Sequence, residues 1–239
     1  MKKILLSALL SALIAAEAEA TVLYDPGTIH KTTALTGFMT EGDMMDGMSI
    51  TAFLNSGATE TFAWYDIGTK MGGVYGTGWY LRVFGDSYFY DWILLADVLV
   101  NRIIIDAGAG NAVFDTFFNN EVGTPGSARG TTFAVVSGLS NDNVTATYRD
   151  WVALTGLEPV GDLWKVLDIN FHTPYSGYLR FRGDTDSIAI SGDLEPEPDP
   201  GGSSVPEPAT FALVGSGLGV LAISRWIRKS RNSVEADNA

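Results

Sequence analysis

Carboxylates offer most of the chemistry that this sequence could perform. Asp184 and Asp186 are separated by one residue, so both side chains point to the same face of an extended chain. Asp43 and Asp46 form a second pair of neighbouring acids. Such pairs can hold calcium, which prefers oxygen ligands, or act as acid and base across a sugar bond. Neither stretch completes a calcium-binding loop, and solvated β-turns, where acids beside glycine are common, remain the alternative interpretation.

Other catalytic sets are not visible. The chain has no cysteine, which removes thiol nucleophiles and thiolate metal sites, and its two histidines are His30 and His172. His172 follows a predicted strand, where we expect a rim residue rather than a base. No zinc-protease, nucleophile-elbow or phosphate-loop motif occurs in the sequence. We therefore predict no catalytic residues and no required cofactor, with calcium at Asp184 and Asp186 as the one candidate ligand.

Aromatic residues are concentrated between positions 64 and 92. Neighbouring residues of a strand point to opposite faces, so some of these rings are expected to face outward. Exposed rings on a sheet can stack on sugars, although large rings on strands also commonly form the core. The candidate glycan-facing residues are Trp64, Trp79, Tyr88 and Tyr90.

The residues that must position these side chains alternate as β-strands do. Short segments with apolar residues at every second position recur about every ten residues, with Gly, Asn and Asp between them. Residues 79–84, 144–154 and 163–171 are clear examples, and the more apolar segments 89–95 and 98–105 are expected to be covered on both faces. The pattern predicts an all-β fold, a single jelly-roll-like β-sandwich over residues 21–194.

The charge of the chain excludes one class of partner. Asp and Glu outnumber Lys and Arg by 28 to 15, giving a net charge of −13 at pH 7. Such a protein repels nucleic acid, and it remains compatible with neutral sugars, calcium or plain solubility outside the cell.

The first twenty residues have the form of a secretory signal peptide. Lys2 and Lys3 precede an apolar run, and Ala18-Glu19-Ala20 supplies a small-x-small cleavage pattern. We expect signal peptidase to cut after Ala20, which makes the general secretion machinery a partner and exports the remainder of the chain.

The C-terminal region has three parts in order. An acidic Pro/Gly/Ser linker (195–204) leads to Pro206-Glu207-Pro208, residues 209–227 form a candidate transmembrane helix, and a basic cluster follows. The uncharged run 209–224 would reach about 24 Å as a helix, slightly less than a bilayer core. The basic cluster places the tail 232–239 in the cytoplasm. The cluster consists of Arg225, Arg228, Lys229 and Arg231.

A permanent membrane anchor is the competing interpretation of the apolar run. Gly215 and Gly219 form a G-x-x-x-G pattern that could pack against another helix, but glycine-rich composition explains it equally well.

The order of these three parts, residues 205–231, resembles the PEP-CTERM sorting signal of exported proteins in Gram-negative bacteria that make exopolysaccharide. The resemblance implies recognition by an exosortase, removal of the helix near Pro206-Glu207-Pro208, and transfer from the periplasmic face of the inner membrane to the cell surface or matrix. It assigns no activity to the β domain. We expect a non-enzymatic surface or matrix protein, with exopolysaccharide as a candidate ligand and a purely structural role left open; the alternative is a carbohydrate-active enzyme on a jelly-roll scaffold.

Overall fold

A computed structural model describes residues 19–116, 123–127, 129–189 and 194–196. The chain divides into two units, residues 1–197 and 198–239, and every described residue belongs to the first. No helix in these described ranges is long and apolar enough to cross a membrane. The expected signal helix and the expected span at 209–227 lie outside the described residues.

The described part of the chain is all-β, as the sequence predicts. It contains fifteen strands and three short 3-10 helices, at Gly42–Met44, Gly108–Gly110 and Asn141–Asn143, and no α-helix. The strands are β1 (Thr21–Asp25), β2 (His30–Thr32), β3 (Leu35–Gly37), β4 (Ser49–Leu54), β5 (Thr59–Ala63), β6 (Tyr65–Gly68), β7 (Met71–Gly76), β8 (Trp79–Phe84), β9 (Trp92–Asp106), β10 (Ala112–Asp115), β11 (Ala134–Ser137), β12 (Val144–Leu154), β13 (Leu163–Arg182), β14 (Asp184–Ile188) and β15 (Glu195–Pro196).

Two long strands, β9 and β13, organise the sheet. They pair antiparallel along most of their length, with register shifts between Asn170 and Gly177. The first half of β9 pairs with β8, which is followed in the sheet by β7 and β6. Its second half pairs with β4, which in turn pairs with β5. Likewise, β13 pairs with β12 in its first half and with β11 in its second. This open sheet is consistent with a β-sandwich.

Alternating burial explains why these sequences form one-sided strands. In β8 the residues Trp79, Leu81 and Val83 are buried, while the intervening positions are more exposed. Buried aromatic rings link the strands in the core: the Trp92 ring lies 5.2 Å from Trp64 and 6.0 Å from Phe181 between centroids. Each fully buried ring removes a large apolar area from water, and this burial holds the cysteine-free fold together.

Strand positions follow the sequence pattern closely in places. Strands β8 and β12 match the expected segments. The expected segments 89–95 and 98–105 merge into the single strand β9, which begins only at Trp92, and the expected segment 163–171 is the first part of the longer strand β13. The expectation that β9 is covered on both faces is wrong. Trp92, Leu94 and Ala96 are buried, but Asp97 and Leu99, which point to the opposite face of the strand, are exposed. Only one face of β9 therefore meets the core.

Candidate metal site

Three buried aspartates meet where β10 pairs with β14. The pairing is antiparallel and places Asp115 directly opposite Asp184, with Asp186 two residues further along β14 on the same face. Each carboxylate offers an oxygen within 4.8 Å of the others, and all three residues are fully buried. We refer to Asp115, Asp184 and Asp186 as the acid cluster.

The carboxylates of β14 are only partly satisfied by hydrogen bonds. Asp184 Oδ1 accepts from the Ser87 hydroxyl at 3.1 Å and from the Thr185 backbone N–H at 2.8 Å. Its Oδ2, and both carboxylate oxygens of Asp186, have no hydrogen-bond partner among the described residues. No ion pair between described residues involves either side chain. Buried carboxylate oxygens are rarely left in this state, because desolvating a charge without a partner is costly.

The segment after residue 123 closes over the acid cluster. The Ser127 hydroxyl donates to Asp115 Oδ2, and the Thr131 backbone N–H donates to the Asp115 carbonyl at 3.0 Å. Gly130 lies so close that a Cβ atom there would stand 2.2 Å from Asp115 Oδ1. Nearby, Thr124 donates its backbone N–H and its hydroxyl to the buried Asp162 carboxylate. The chain therefore wraps tightly around these acids.

The local electrostatics favour a cation or protons. The pKa of Asp184 is raised to about 9, first by burial and then by the charges of Asp186 and Asp115. Burial likewise raises the pKa of Asp186 to about 8, with Asp115 as the next contributor. Burial also raises the pKa of Asp86, which lies close enough to act on both. Like charges in a dry site disfavour ionisation unless a positive charge is present.

The donor set fits a hard cation. It consists of oxygens, and neither histidine is part of the cluster. Calcium takes six to eight oxygens at about 2.3–2.6 Å, so two ligands on opposite sides of the ion are about 4.6–5.2 Å apart, comparable with the cluster's dimensions. Burial of the acids argues against a role as sugar-facing acid and base, because a substrate must reach both groups.

The two acid pairs predicted from the sequence have different environments in the structure. Asp184 and Asp186 do share one face of a strand, and the structure adds Asp115, which sequence reasoning missed. The other pair forms turns: Asp43 Oδ2 accepts from the Lys70 backbone N–H at 2.7 Å, and Asp46 is exposed. The available signal for Asp115 was a charged residue ending a wholly apolar strand, but only the β10–β14 pairing brings it to the cluster.

The aromatic prediction needs correction. Trp64 and Trp79 are buried, at 0% and 3% exposure, so neither ring can face a glycan. Their indole N–H groups explain how they fit the interior: Trp64 donates to the Gly42 carbonyl at 2.9 Å, and Trp79 donates to Glu60 Oε2 at 2.7 Å. Tyr90 is half exposed and packs edge-on against Phe84, whereas Tyr88 is only partly exposed.

The histidines have structural partners. His172 is exposed and hydrogen-bonds through its ring nitrogens to Thr145 Oγ1 and the Asp142 carbonyl, each at 2.8 Å. His30 is buried and contacts the Leu194 carbonyl at 3.0 Å. His172 is expected to follow its strand, but it lies within β13, where its side chain is exposed.

The remaining predicted residues, Pro206-Glu207-Pro208 and the basic cluster from Arg225 to Arg231, lie outside the described residues. Comparison with known families matches residues 204–229 to the PEP-CTERM protein-sorting motif. The chain therefore carries a PEP-CTERM sorting motif near its C-terminal end. The match covers this sorting segment and not the β domain, and the motif is typical of exosortase substrates. No curated protein and no solved structure matches the chain.

Proposed function

We propose that the protein is exported, anchored briefly in the inner membrane, and released by an exosortase to act as a non-enzymatic surface or matrix protein. The observation that carries this proposal is the sorting motif at residues 204–229. Signal peptidase removes residues 1–20, the helix at 209–227 holds the chain with its basic end in the cytoplasm, and cleavage near Pro206-Glu207-Pro208 frees the β domain.

The test compares two tripeptides of the same composition. Pro206-Glu207-Pro208 lies inside the matched motif, whereas Pro196-Glu197-Pro198 lies upstream of it. Replacing the first tripeptide by three alanines should leave a full-length, membrane-bound form in cells that carry the exosortase. The same replacement at Pro196-Glu197-Pro198 should leave processing unchanged.

Immunoblots of membrane and medium fractions, in exosortase-positive and exosortase-deleted cells, report the outcome. Equal processing of the first variant and the unaltered protein would show that the tripeptide is not the recognition site. A wild-type chain that stays full-length in exosortase-positive cells would make the permanent anchor the correct interpretation.

The absence of catalysis in this proposal is supported by the site geometry. Asp184 and Asp186, the residues that the enzyme alternative needs, are fully buried, whereas an acid and base must reach the sugar. Incubation of the purified protein with the host's exopolysaccharide should therefore release no reducing ends. Release that disappears in an Asp186→Asn variant would restore the enzyme alternative.

A different set of rings supports exopolysaccharide binding. Four tyrosines lie on the outer face of the β6–β7–β8–β9–β13 layer, and we call them the tyrosine row: Tyr65, Tyr75, Tyr80 and Tyr178. The strand register places Tyr75 opposite Tyr80, Tyr80 opposite Leu95, and Leu95 opposite Tyr178.

Their exposure and spacing suit a chain-like ligand. Tyr65, Tyr75 and Tyr178 are each 44–49% exposed, and the Tyr75 and Tyr80 centroids are 5.6 Å apart. Strands about 4.8 Å apart make the row from Tyr75 to Tyr178 about 14 Å long. The Arg82 guanidinium lies 5.3 Å from the Tyr80 ring centroid and adds a hydrogen-bond donor beside it.

Binding to the host's exopolysaccharide can be measured by affinity electrophoresis. Replacing Tyr75 by alanine should weaken binding about fivefold to tenfold, if a stacked ring contributes about 1 kcal/mol. Phe89, the most exposed aromatic residue described but outside the row, provides the control: Phe89→Ala should bind normally. Equal binding by both variants would remove the tyrosine row from the proposal.

A further inference from the structure

We propose that Asp115, Asp184 and Asp186 bind one calcium ion, which ties β10 to β14 inside the β domain. This site goes beyond the sorting function, because it concerns how the delivered domain is held together. Two observations support the calcium site beyond the mere fact that three acids occur there. Three carboxylate oxygens of Asp184 and Asp186 are buried and have no hydrogen-bond partner in the part of the chain that the structure describes. In addition, the two paired strands bring all three carboxylates to within 4.8 Å of one another.

Hydrogen bonds from the described residues do not satisfy the buried carboxylate of Asp186. Neither oxygen of Asp186 has a hydrogen-bond partner among the described residues; the neighbouring Ser127 hydroxyl, which offsets part of the rise that burial causes in the pKa of Asp186, donates to Asp115 instead. By contrast, the nearby Asp162 carboxylate receives two hydrogen bonds from Thr124. Adding a proton to Asp186 would not solve the problem, because a carboxylic acid still presents a donor and an acceptor that need partners. A cation satisfies both oxygens at once and also offsets the repulsion among the acids.

Calcium fits this donor set better than other common metals. Zinc and copper sites in proteins generally contain cysteine or histidine, and this cluster contains neither. Magnesium usually keeps several waters and binds one or two carboxylates, whereas calcium accepts several carboxylates in a protein cage. The Ser127 hydroxyl donates to Asp115 and so attaches the segment after residue 123 to the acid cluster.

The ion would act as a cross-link between distant parts of the sequence. Asp115 ends β10, and Asp184 begins β14, so one ion joins segments about seventy residues apart in the chain. Ser87 adds a third segment through its hydrogen bond to Asp184. In a chain without disulfides, such a cross-link performs the role that a covalent bridge has in many exported domains.

Calcium binding is testable on the purified full chain in mild detergent after chelator treatment. Calorimetric titration with calcium chloride should show one ion per chain with a dissociation constant of about 0.1–1 mM, the range of extracellular calcium modules. Magnesium chloride should bind at least tenfold more weakly. Asp186→Asn should weaken calcium binding by at least a hundredfold, while Asp97→Asn, which alters an exposed acid on β9, should bind as the wild type does.

A second measurement needs no variant and so does not depend on how Asp186→Asn folds. Hydrogen exchange of the wild-type chain with and without calcium should show slower exchange in β10 and β14 and no change in β6. Absence of calcium binding up to 10 mM, or identical binding by the two variants, would overturn the inference. The sorting test above would be unaffected by that result, so the two proposals fail separately.

Discussion

The acid cluster should make the calcium-free protein less stable as the pH rises, and Asp186→Asn should remove part of that loss. Asp186 has a pKa of about 8 in the folded chain, raised first by burial and then by the Asp115 charge. In the unfolded chain the same carboxyl has its ordinary pKa near 4. The folded state therefore keeps a proton that the unfolded state releases.

The sign and size of the effect follow from this difference. The contribution of Asp186 to stability is fully present below pH 4, where its carboxyl is protonated in both states, and it is lost between pH 4 and pH 8 as the unfolded carboxyl ionises. The slope is about 1.4 kcal/mol per pH unit for one group, so Asp186 alone lowers the free energy of unfolding by about 3 kcal/mol between pH 5 and pH 7. This is a substantial part of the 5–15 kcal/mol typical of a domain.

Urea denaturation, followed by the fluorescence of the six tryptophans, measures the effect. In chelator, the wild type should lose about 3 kcal/mol more than Asp186→Asn between pH 5 and pH 7, because asparagine carries no charge at any pH. Asp184 contributes to both slopes and cancels in the comparison. At pH 7, calcium at 10 mM should stabilise the wild type by about 1.5–3 kcal/mol, given the expected affinity, and should not change the variant.

Equal pH slopes for the wild type and Asp186→Asn in chelator would refute this reasoning. Such a result would mean that Asp186 is ionised and stabilised in the calcium-free fold, through contacts that the described residues do not provide. The Asp97→Asn control should follow the wild type at every pH.

Two further predictions concern close contacts. Gly130→Ala places a Cβ atom against Asp115, so calcium binding should weaken about tenfold or more in the same titration. Gly37→Ala, where the new Cβ atom would have open space, should bind calcium normally. Equal affinities of the two variants would show that the segment at Gly130 can move without disturbing the acid cluster. Asp168→Ala should lower the free energy of unfolding by about 2–3 kcal/mol in urea denaturation, because it removes the two hydrogen bonds that Arg102 donates to this carboxylate. A change below about 0.5 kcal/mol would mean that solvent replaces the carboxylate as the partner of Arg102.

The sequence predicted the all-β class because alternation is a local property. Burial in β8 alternates residue by residue, which any one-sided strand requires, and the segment boundaries at 79–84 and 144–154 follow from adjacent turn residues. Strands of low alternation were missed: β7 contains Gly72 and Gly73, where a side chain would collide with Gly42 or Leu81. Its pattern is set by tight packing with distant segments, which a local pattern does not record.

The metal site was predictable only in part. Asp184 and Asp186 share a face because they are two residues apart, and this holds for any strand. Asp115 joins them through strand pairing across about seventy residues, and nothing in the sequence near Asp115 specifies that partner. The aromatic prediction was wrong at Trp64 and Trp79 for a related reason, since alternation says that some rings face outward but does not say which face is outward.

The candidate metal site and the sorting motif both bear on export of the protein: the motif concerns its processing at the membrane, and the metal site concerns where the β domain folds. A chain that crosses a membrane through secretion machinery must remain unfolded until it has crossed, and a domain with repelling buried acids gains stability when a cation is supplied. A site with a dissociation constant of about 0.1–1 mM would be loaded outside the cytoplasm and nearly empty inside it. Calcium would then favour folding at the place where the exosortase releases the domain. If the calcium titration and the processing test both give the expected results, a further comparison becomes decisive: calcium depletion during growth should reduce the amount of folded, protease-resistant protein at the surface without altering cleavage of the sorting signal.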